Sequence, residues 1–302
     1  MPVIVRIATL IVLHATTSVA AAQATAPASP PVFEAMRAGA HVLVGDVGNV
    51  LASAGPDGVL LVDDQYPNTA NAIQAAAKAL SPAPVRYVIN THWHVDHSGG
   101  NAYFGRAGAS LVAHENVRAR MATEQVLKAY NARIPPAPPV ALPSITFDAA
   151  LTLRINGETV DVIHIPHAHT DGDAVVFFRN ANAVHMGDIF FNGMFPFIDT
   201  GSGGSVQGVI AAVDKVLAMT DAETQIVPAH GPIADRSVLA AYGAMLRDVA
   251  KKVQAGIDAG LPLAEIQAQK IAAPYASSYE GDGDRFIGFV HESLIAPATP
   301  ET

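Results

Sequence analysis

"INTHWHVDHSGG", residues 89–100, places three histidines and one aspartate within six positions. The run that feeds it, "VRYVIN" over 85–90, is short, apolar and β-branched, so a buried strand ends at Asn90. The cluster therefore begins where the chain has to turn. Alternate side chains of extended backbone share a face, so His92 and His94 project the same way and both reach one ion. Asp96 and His97 sit just beyond, giving two adjacent half-sites. Four imidazole and carboxylate groups packed together without a cation leave their desolvation uncompensated, and the cluster reads as metal-binding.

One strand end does not complete a site, so further ligands are expected at the ends of later strands. "HIPHAHTDGDAVVFF" offers His164, His167 and His169 just before a strand. "AVHMGDIFF" offers His185 and Asp188, and "IVPAHGP" offers His230 before a Gly-Pro turn. His164 and His185 lie inside strand patterns and read as packed histidines. His167, two residues before His169, can share its face and stays open. His41, His114 and His291 read as structural or solvent-exposed, and Trp93 as pointing into the scaffold.

Composition narrows the chemistry. The 302-residue chain is 50% hydrophobic and has no cysteine, so thiolate metal sites and cysteine nucleophiles are excluded. A formal charge of −9 with 15% charged residues opposes binding to a phosphate backbone, and no nucleic-acid partner is expected. The start of the chain has the charged, apolar, small order of a secretory signal peptide over residues 1–22. A Pro/Ala linker over 23–40 follows, with the fold expected to begin near Phe33–His41, and a single domain over 41–302 ending in a helical tail. Export to the periplasm or beyond is expected, with no membrane span in the mature protein.

Between these landmarks strands alternate with helices. "HVLVGDV", "NVLASAG" and "GVLLVDD" read as strands, and "TANAIQAAAKAL" as a helix capped by Thr69. "SLVAH" is a strand, and "ENVRARMATEQVLKAYNAR" (115–133) carries helical spacing; the Pro-rich run 134–143 is a loop or linker. Five strand-like runs between 145 and 187 precede a helix over 205–220 and a strand into "PAH". Strand clusters with intervening helices, in two halves, point to an α/β sandwich of two sheets with outer helices.

The H-x-H-x-D-H string at His92, His94, Asp96 and His97, followed by the "HTDGD" histidine, the "GD" aspartate and the "PAHGP" histidine, resembles the metallo-β-lactamase fold superfamily of metallohydrolases. The resemblance spans roughly His41 to His230. It implies an αββα sandwich of two mixed β-sheets flanked by helices. It also implies that His92, His94 and His169 bind a first metal, that Asp96, His97 and His230 bind a second, and that Asp188 bridges them. Asp63 would support the ligands. The ligand chemistry suits two Zn2+ per chain, with Fe or Mn less favoured. The implied reaction is hydrolysis of a small carbonyl substrate (ester, lactone or β-lactam) by metal-activated water, with Asp96 the catalytic residue that orients the nucleophile. The commonest β-lactamases of this type carry a cysteine at the Asp188 position, so the bridging aspartate looks more like the glyoxalase II and lactonase branches.

After Asp188, "IFFNGMFPFIDTGSGGS" supplies an apolar lip of Phe190, Phe191, Met194, Phe195 and Phe197. Phe191 and Phe195 are the cleft-wall candidates and Asn192 a candidate oxyanion donor. No Arg or Lys is read near the ligand-bearing loops, so an uncharged or aromatic small molecule is expected. The tail lacks a basic cluster, which disfavours a glutathione thioester. A diiron redox protein and a non-catalytic, metal-braced binding protein are the alternatives. The flavodoxin domain that diiron relatives usually carry is not found in this sequence.

Overall fold

A computed structural model describes residues 30–45 and 47–296. The expected signal peptide and the first part of the linker lie outside the described residues. The fold begins earlier than residue 41: Phe33 is buried, and β1 (Glu34–Ala35) already pairs with β2 (Ala40–Leu43). The hydrophobic Phe33 anchors what composition alone reads as linker.

Strands β3 (Val50–Gly55) and β4 (Gly58–Val62) follow antiparallel. Helix α1 (Ala70–Leu80) then crosses to β5 (Val85–Ile89), parallel to β4. Thr69 precedes α1, but its hydroxyl donates to the Tyr66 carbonyl at 2.9 Å instead of capping the helix. The short α2 (Val95–Ser98) and α3 (Asn101–Arg106) lead to β6 (Ser110–His114) and α4 (Glu115–Met121). β7 (Gln125–Leu127) and β8 (Ala132–Ile134) form a separate hairpin, and β9 (Ile145–Phe147) closes the first sheet in the order β1-β2-β3-β4-β5-β6-β9.

The helix expected over 115–133 thus stops at Met121. Continuing it would need the Met121 carbonyl to accept from residue 125, but that carbonyl accepts the Ala137 amide at 2.8 Å. The Arg120 carbonyl is taken by the Gln125 side chain at 3.1 Å. Backbone and side chains from the Pro-rich run and the hairpin end the helix.

The second sheet runs β10 (Ala150–Ile155), β11 (Glu158–Ile165), β12 (Asp173–Phe178), β13 (Ala183–His185) and β14 (Gln225–Val227). All its pairs are antiparallel except β13–β14. Helix α5 (Val206–Met219) precedes β14; α6 (Arg236–Asp258), α7 (Leu263–Ala268) and α8 (Gly283–Ile295) follow it.

Alternation along the strands builds the layers. In β4, Leu60 and Val62 face the second sheet, whereas Val59 and Leu61 face α1 and α3. In β12, Val176 and Phe178 enter the same inter-sheet core while Val175 and Phe177 meet α5 and α6. Both sheets are buried on both faces, so the architecture is an αββα sandwich. No helix among the described residues is long and apolar enough to cross a membrane.

Candidate metal centre

Every candidate ligand stands where a strand ends at one edge of the sandwich. β5 ends at Ile89; His92 and His94 follow, and the single turn of α2 presents Asp96 and His97. His169 lies between β11 and β12, Asp188 in a 3-10 turn after β13, and His230 after β14. The parallel β13–β14 pairing, continued by a bridge between Phe191 and His230, sets the last two loops side by side.

These seven residues form two groups. The ligand atoms of His92, His94, His169 and Asp188 all lie within 4.8 Å of one another, as do those of Asp96, His97, Asp188 and His230. Asp188 belongs to both. Its Oδ1 lies 3.1 Å from His97 Nε2 and 3.4 Å from His230 Nε2. Its Oδ2 lies 3.4 Å from His169 Nε2 and 3.8 Å from His92 Nε2. One carboxylate therefore turns an oxygen to each group.

The residues present fit cations. Buried polar atoms are normally hydrogen-bonded, yet His92 Nε2, His97 Nε2 and Asp188 Oδ1 are buried without an aligned hydrogen bond. The outward ring nitrogens, in contrast, are engaged. His97 Nδ1 meets Asp63 Oδ2 at 2.8 Å, His94 Nε2 meets Asp199 Oδ2 at 3.0 Å, and His169 Nδ1 meets the Phe197 carbonyl at 3.0 Å. His92 Nδ1 meets the Thr91 hydroxyl at 3.1 Å. A nitrogen that donates outward leaves the lone pair of its partner turned inward, as metal-binding imidazoles require.

Asp63 is the hub of this support. Its carboxylate also accepts the Thr91 amide at 2.7 Å and the Thr91 hydroxyl at 2.8 Å. Its φ of 65° is left-handed, an uncommon state for a non-glycine residue that surrounding contacts must hold. The Asp63 amide does so by donating to the Ile89 carbonyl at 2.8 Å.

Burial opposes charge on Asp96 and Asp188, but the surrounding imidazoles, His97 first, hold both carboxyls well below the usual range. Burial lowers His169 to about 4 and takes His92 well below its ordinary value, so both stay neutral. At His230 burial is outweighed by Asp188 and Asp96, which raise it to about 9. A cation binding there displaces a proton.

The other histidines among the described residues lie outside both groups. His167 bonds the Gly203 carbonyl at 3.0 Å, and His185 bonds the Asn49 carbonyl at 3.2 Å. His164 stacks on His114 with ring centroids 3.6 Å apart. Of the apolar lip, Phe191 lies parallel to His230 at 5.3 Å and Phe197 nearly parallel to His94 at 5.9 Å. Phe195 instead stacks on Phe286 and Tyr279, joining the layer of C-terminal helices and not the cleft. One N–H of the Asn192 side-chain amide donates to the Pro232 carbonyl at 2.8 Å.

Sequence reasoning missed Asp199 and Thr91. Thr91 had a local signal, its place directly before His92. Asp199 had none, since only the fold brings it to a histidine 105 positions away. Basic side chains were missed too: Lys128 and Arg285 reach the loops around the site because α8 folds back onto the tip of the β7–β8 hairpin.

The sequence from 44 to 230, which carries all these ligand loops, matches the family model described as the metallo-beta-lactamase superfamily. The chain belongs to the metallo-beta-lactamase superfamily. Solved structures of the fold include the metallo-beta-lactamase from Pontibacter korlensis, 18% identical, covering 72% of this chain and 99% of that one, with a TM-score of 0.58. The stereoselective inverting sec-alkylsulfatase Pisa1 from Pseudomonas sp. is 15% identical and covers 88% of this chain and 50% of its own, with a TM-score of 0.65. These likenesses show a shared fold. In sequence, the chain is 28% identical over 166 residues to the 2,4-dinitroanisole O-demethylase subunit alpha of Nocardioides sp. (strain JS1661). That match takes in 53% of this chain and 46% of the relative, so the match spans about half the length of that protein. Members of the metallo-beta-lactamase superfamily are mostly hydrolases, and the paired His/Asp groups point to metal use.

Proposed function

We propose that this protein is an exported, dinuclear zinc hydrolase that cleaves a small, uncharged ester or lactone. The observation that carries the reading is the shared carboxylate of Asp188, set between two groups in which His92 Nε2, His97 Nε2 and Asp188 Oδ1 are buried without an aligned hydrogen bond. Export is supported by the apolar N-terminal sequence and its small-residue boundary. The donor set of imidazoles and carboxylates, without thiolate, favours Zn2+.

His92, His94, His169 and Asp188 would hold one ion, and Asp96, His97, His230 and Asp188 the other. When bound, such ions would supply Lewis acidity, lowering the pKa of water and polarising a substrate oxygen. The Asp96 side chain stays 22% exposed while its Oδ2 lies 3.5 Å from His230 Nε2. Its carboxylate accepts a hydrogen bond from the attacking water and so fixes its direction. Phe191 and Phe197 form apolar walls that exclude bulk water; burying an apolar group against such a wall contributes about 1.5–3 kcal/mol per side chain equivalent.

Elemental analysis after zinc-replete purification should find two zinc equivalents per chain; one or none counts against the shared carboxylate, and iron favours the redox alternative. Turnover is then measured on neutral aryl esters, lactones, a β-lactam, a secondary alkyl sulfate and 2,4-dinitroanisole, the last two taken from the names of the relatives. Asp96→Ala should lower kcat on the best of them at least a hundredfold with the far-ultraviolet circular dichroism of the parent. A variant as fast as the parent removes Asp96 from the reaction.

A further inference from the structure

The β7–β8 hairpin pairs with neither sheet. It is seated, because Leu127 and Ile134 pack against the buried cluster of Trp93, Ala113, Val117 and Met121. Its tip, Lys128–Tyr130, reaches the edge of the sandwich that carries the metal-binding groups. There Tyr130 meets Phe197 edge to face, with centroids 5.5 Å apart. Phe197 in turn stacks near His94 and stands edge-on to His169 at 5.4 Å. Burial raises the Tyr130 phenol against the opposing charge of Arg285.

An isolated two-stranded hairpin is marginal by itself, and this one is tied down at the tip from a distance. Arg285 of α8 lies over the Tyr130 ring at 4.8 Å and over Phe289 at 5.5 Å. Its Nη2 donates to the Ala129 carbonyl at 3.0 Å. Tyr130 nevertheless keeps 55% of its surface exposed. A fixed, half-open aromatic ring beside a reaction centre is a contact surface awaiting a flat partner. Beside the tip, a half-open cavity of about 160 Å³ is lined by Lys128, Ala129, Phe197, Asp199, Phe289 and Glu292, and Tyr130 stands outside its lining.

We infer that Tyr130, held in place by Arg285, is the specificity-determining residue of this site, and that the substrate it selects carries an aromatic ring beside the bond that is cleaved. Tyr130 and Phe197 flank that ring, and Arg285 acts as a positioning residue by fixing the plane of Tyr130. The inference rests on the metal centre being a hydrolytic site, and its test does not need turnover.

The zinc-loaded full chain is titrated calorimetrically with benzylphosphonate and with propylphosphonate, which share an anionic head and differ in the ring. The benzyl compound should bind about tenfold tighter, the scale of an aromatic pair with its buried area. Tyr130→Ala should abolish the difference by weakening the benzyl compound alone, while Tyr130→Phe keeps most of it. Arg285→Ala should reduce the ratio and leave propylphosphonate unchanged, whereas a merely structural role weakens both. Trp93 is the protein's single tryptophan, so its emission reports whether the hairpin base stays seated in each variant. Equal affinities in the parent, no binding of either compound, or a preference that survives Tyr130→Ala overturns the inference. A ring preference that depends on Tyr130 in a protein that cleaves no ester sinks the hydrolase reading and leaves ring selection standing.

Discussion

At the scale of single residues, the side chains behind the ligands decide how well the centre holds metal. Asp63 fixes His97 directly and His92 through Thr91. Asp63→Asn keeps the size but removes the charge and one acceptor. It should weaken zinc binding about 10–100-fold, read by competition with a chromophoric chelator; an unchanged affinity would show that Asp63 only shapes the turn. The candidate ligands were legible because H-x-H-x-D-H is a local pattern, whereas Asp199 and Arg285 act across long sequence separations that no spacing rule reaches. His164 carries a second prediction. Burial against His114, helped by the charge of His114 and Lys215, lowers it from 6.5 to about 4, against the opposing pull of Asp171. The unfolded chain therefore binds more protons between pH 6.5 and 4. The neutral ring's contribution is complete above pH 6.5 and is lost as pH falls through about 4. Urea unfolding at pH 7 and pH 4.5 should show a smaller acid loss in His164→Gln than in the parent. Equal losses would place the acid sensitivity elsewhere.

At the scale of elements, two-faced burial explains what the sequence disclosed and what it hid. Strands such as "GVLLV" (58–62) and "AVVFF" (174–178) announce themselves because their side chains are apolar at successive positions and each face meets a different core. The end of α4 was hidden, since helical spacing continues past Met121 and it is stopped by the docked Ala137 amide and the Gln125 side chain. The hairpin that results carries Tyr130, so the least legible element frames the cleft. Helix α5 shows how tightly elements brace the ligands. Ser205 donates to the His167 carbonyl at 2.8 Å and accepts the Gly208 amide at 3.0 Å. A Cβ at Gly208 would collide with the His167 carbonyl, two residues before a candidate ligand. Gly208→Ala should therefore cost about 1–3 kcal/mol, read as a lower urea midpoint at constant slope. Gly288→Ala on α8 meets only Gln267 Nε2 at 3.9 Å, and there alanine should be neutral or stabilising by about 0.5–1 kcal/mol. Equal effects at both sites would show that the α5 contact yields freely.

At the scale of the whole molecule, charge decides which substrates approach. The chain holds 18 Lys and Arg against 27 Asp and Glu, and Asp96, Asp188 and Asp199 converge on the centre. The tail helices alter this balance only at the rim. Arg285 is turned toward Tyr130, Phe289 and the Ala129 carbonyl, so its planar fork is not presented to a carboxylate. Lys128 remains, a single flexible charge on a hairpin tip, without the bidentate geometry that fixes a carboxylate. A β-lactam would bring such a carboxylate toward the aromatic rings of Phe197 and Tyr130, which meet edge to face at 5.5 Å. A neutral aryl ester meets the same rings and loses no ion hydration. We expect kcat/KM for the neutral ester to exceed that for a charged cephalosporin at least tenfold, about 1.4 kcal/mol, under the same zinc and salt. Adding salt should change the cephalosporin value more than the ester value, because Lys128 is screened over about 10 Å at 0.1 M. A tenfold advantage for the cephalosporin would place a carboxylate clamp in this cleft and make the protein a β-lactamase in the strict sense.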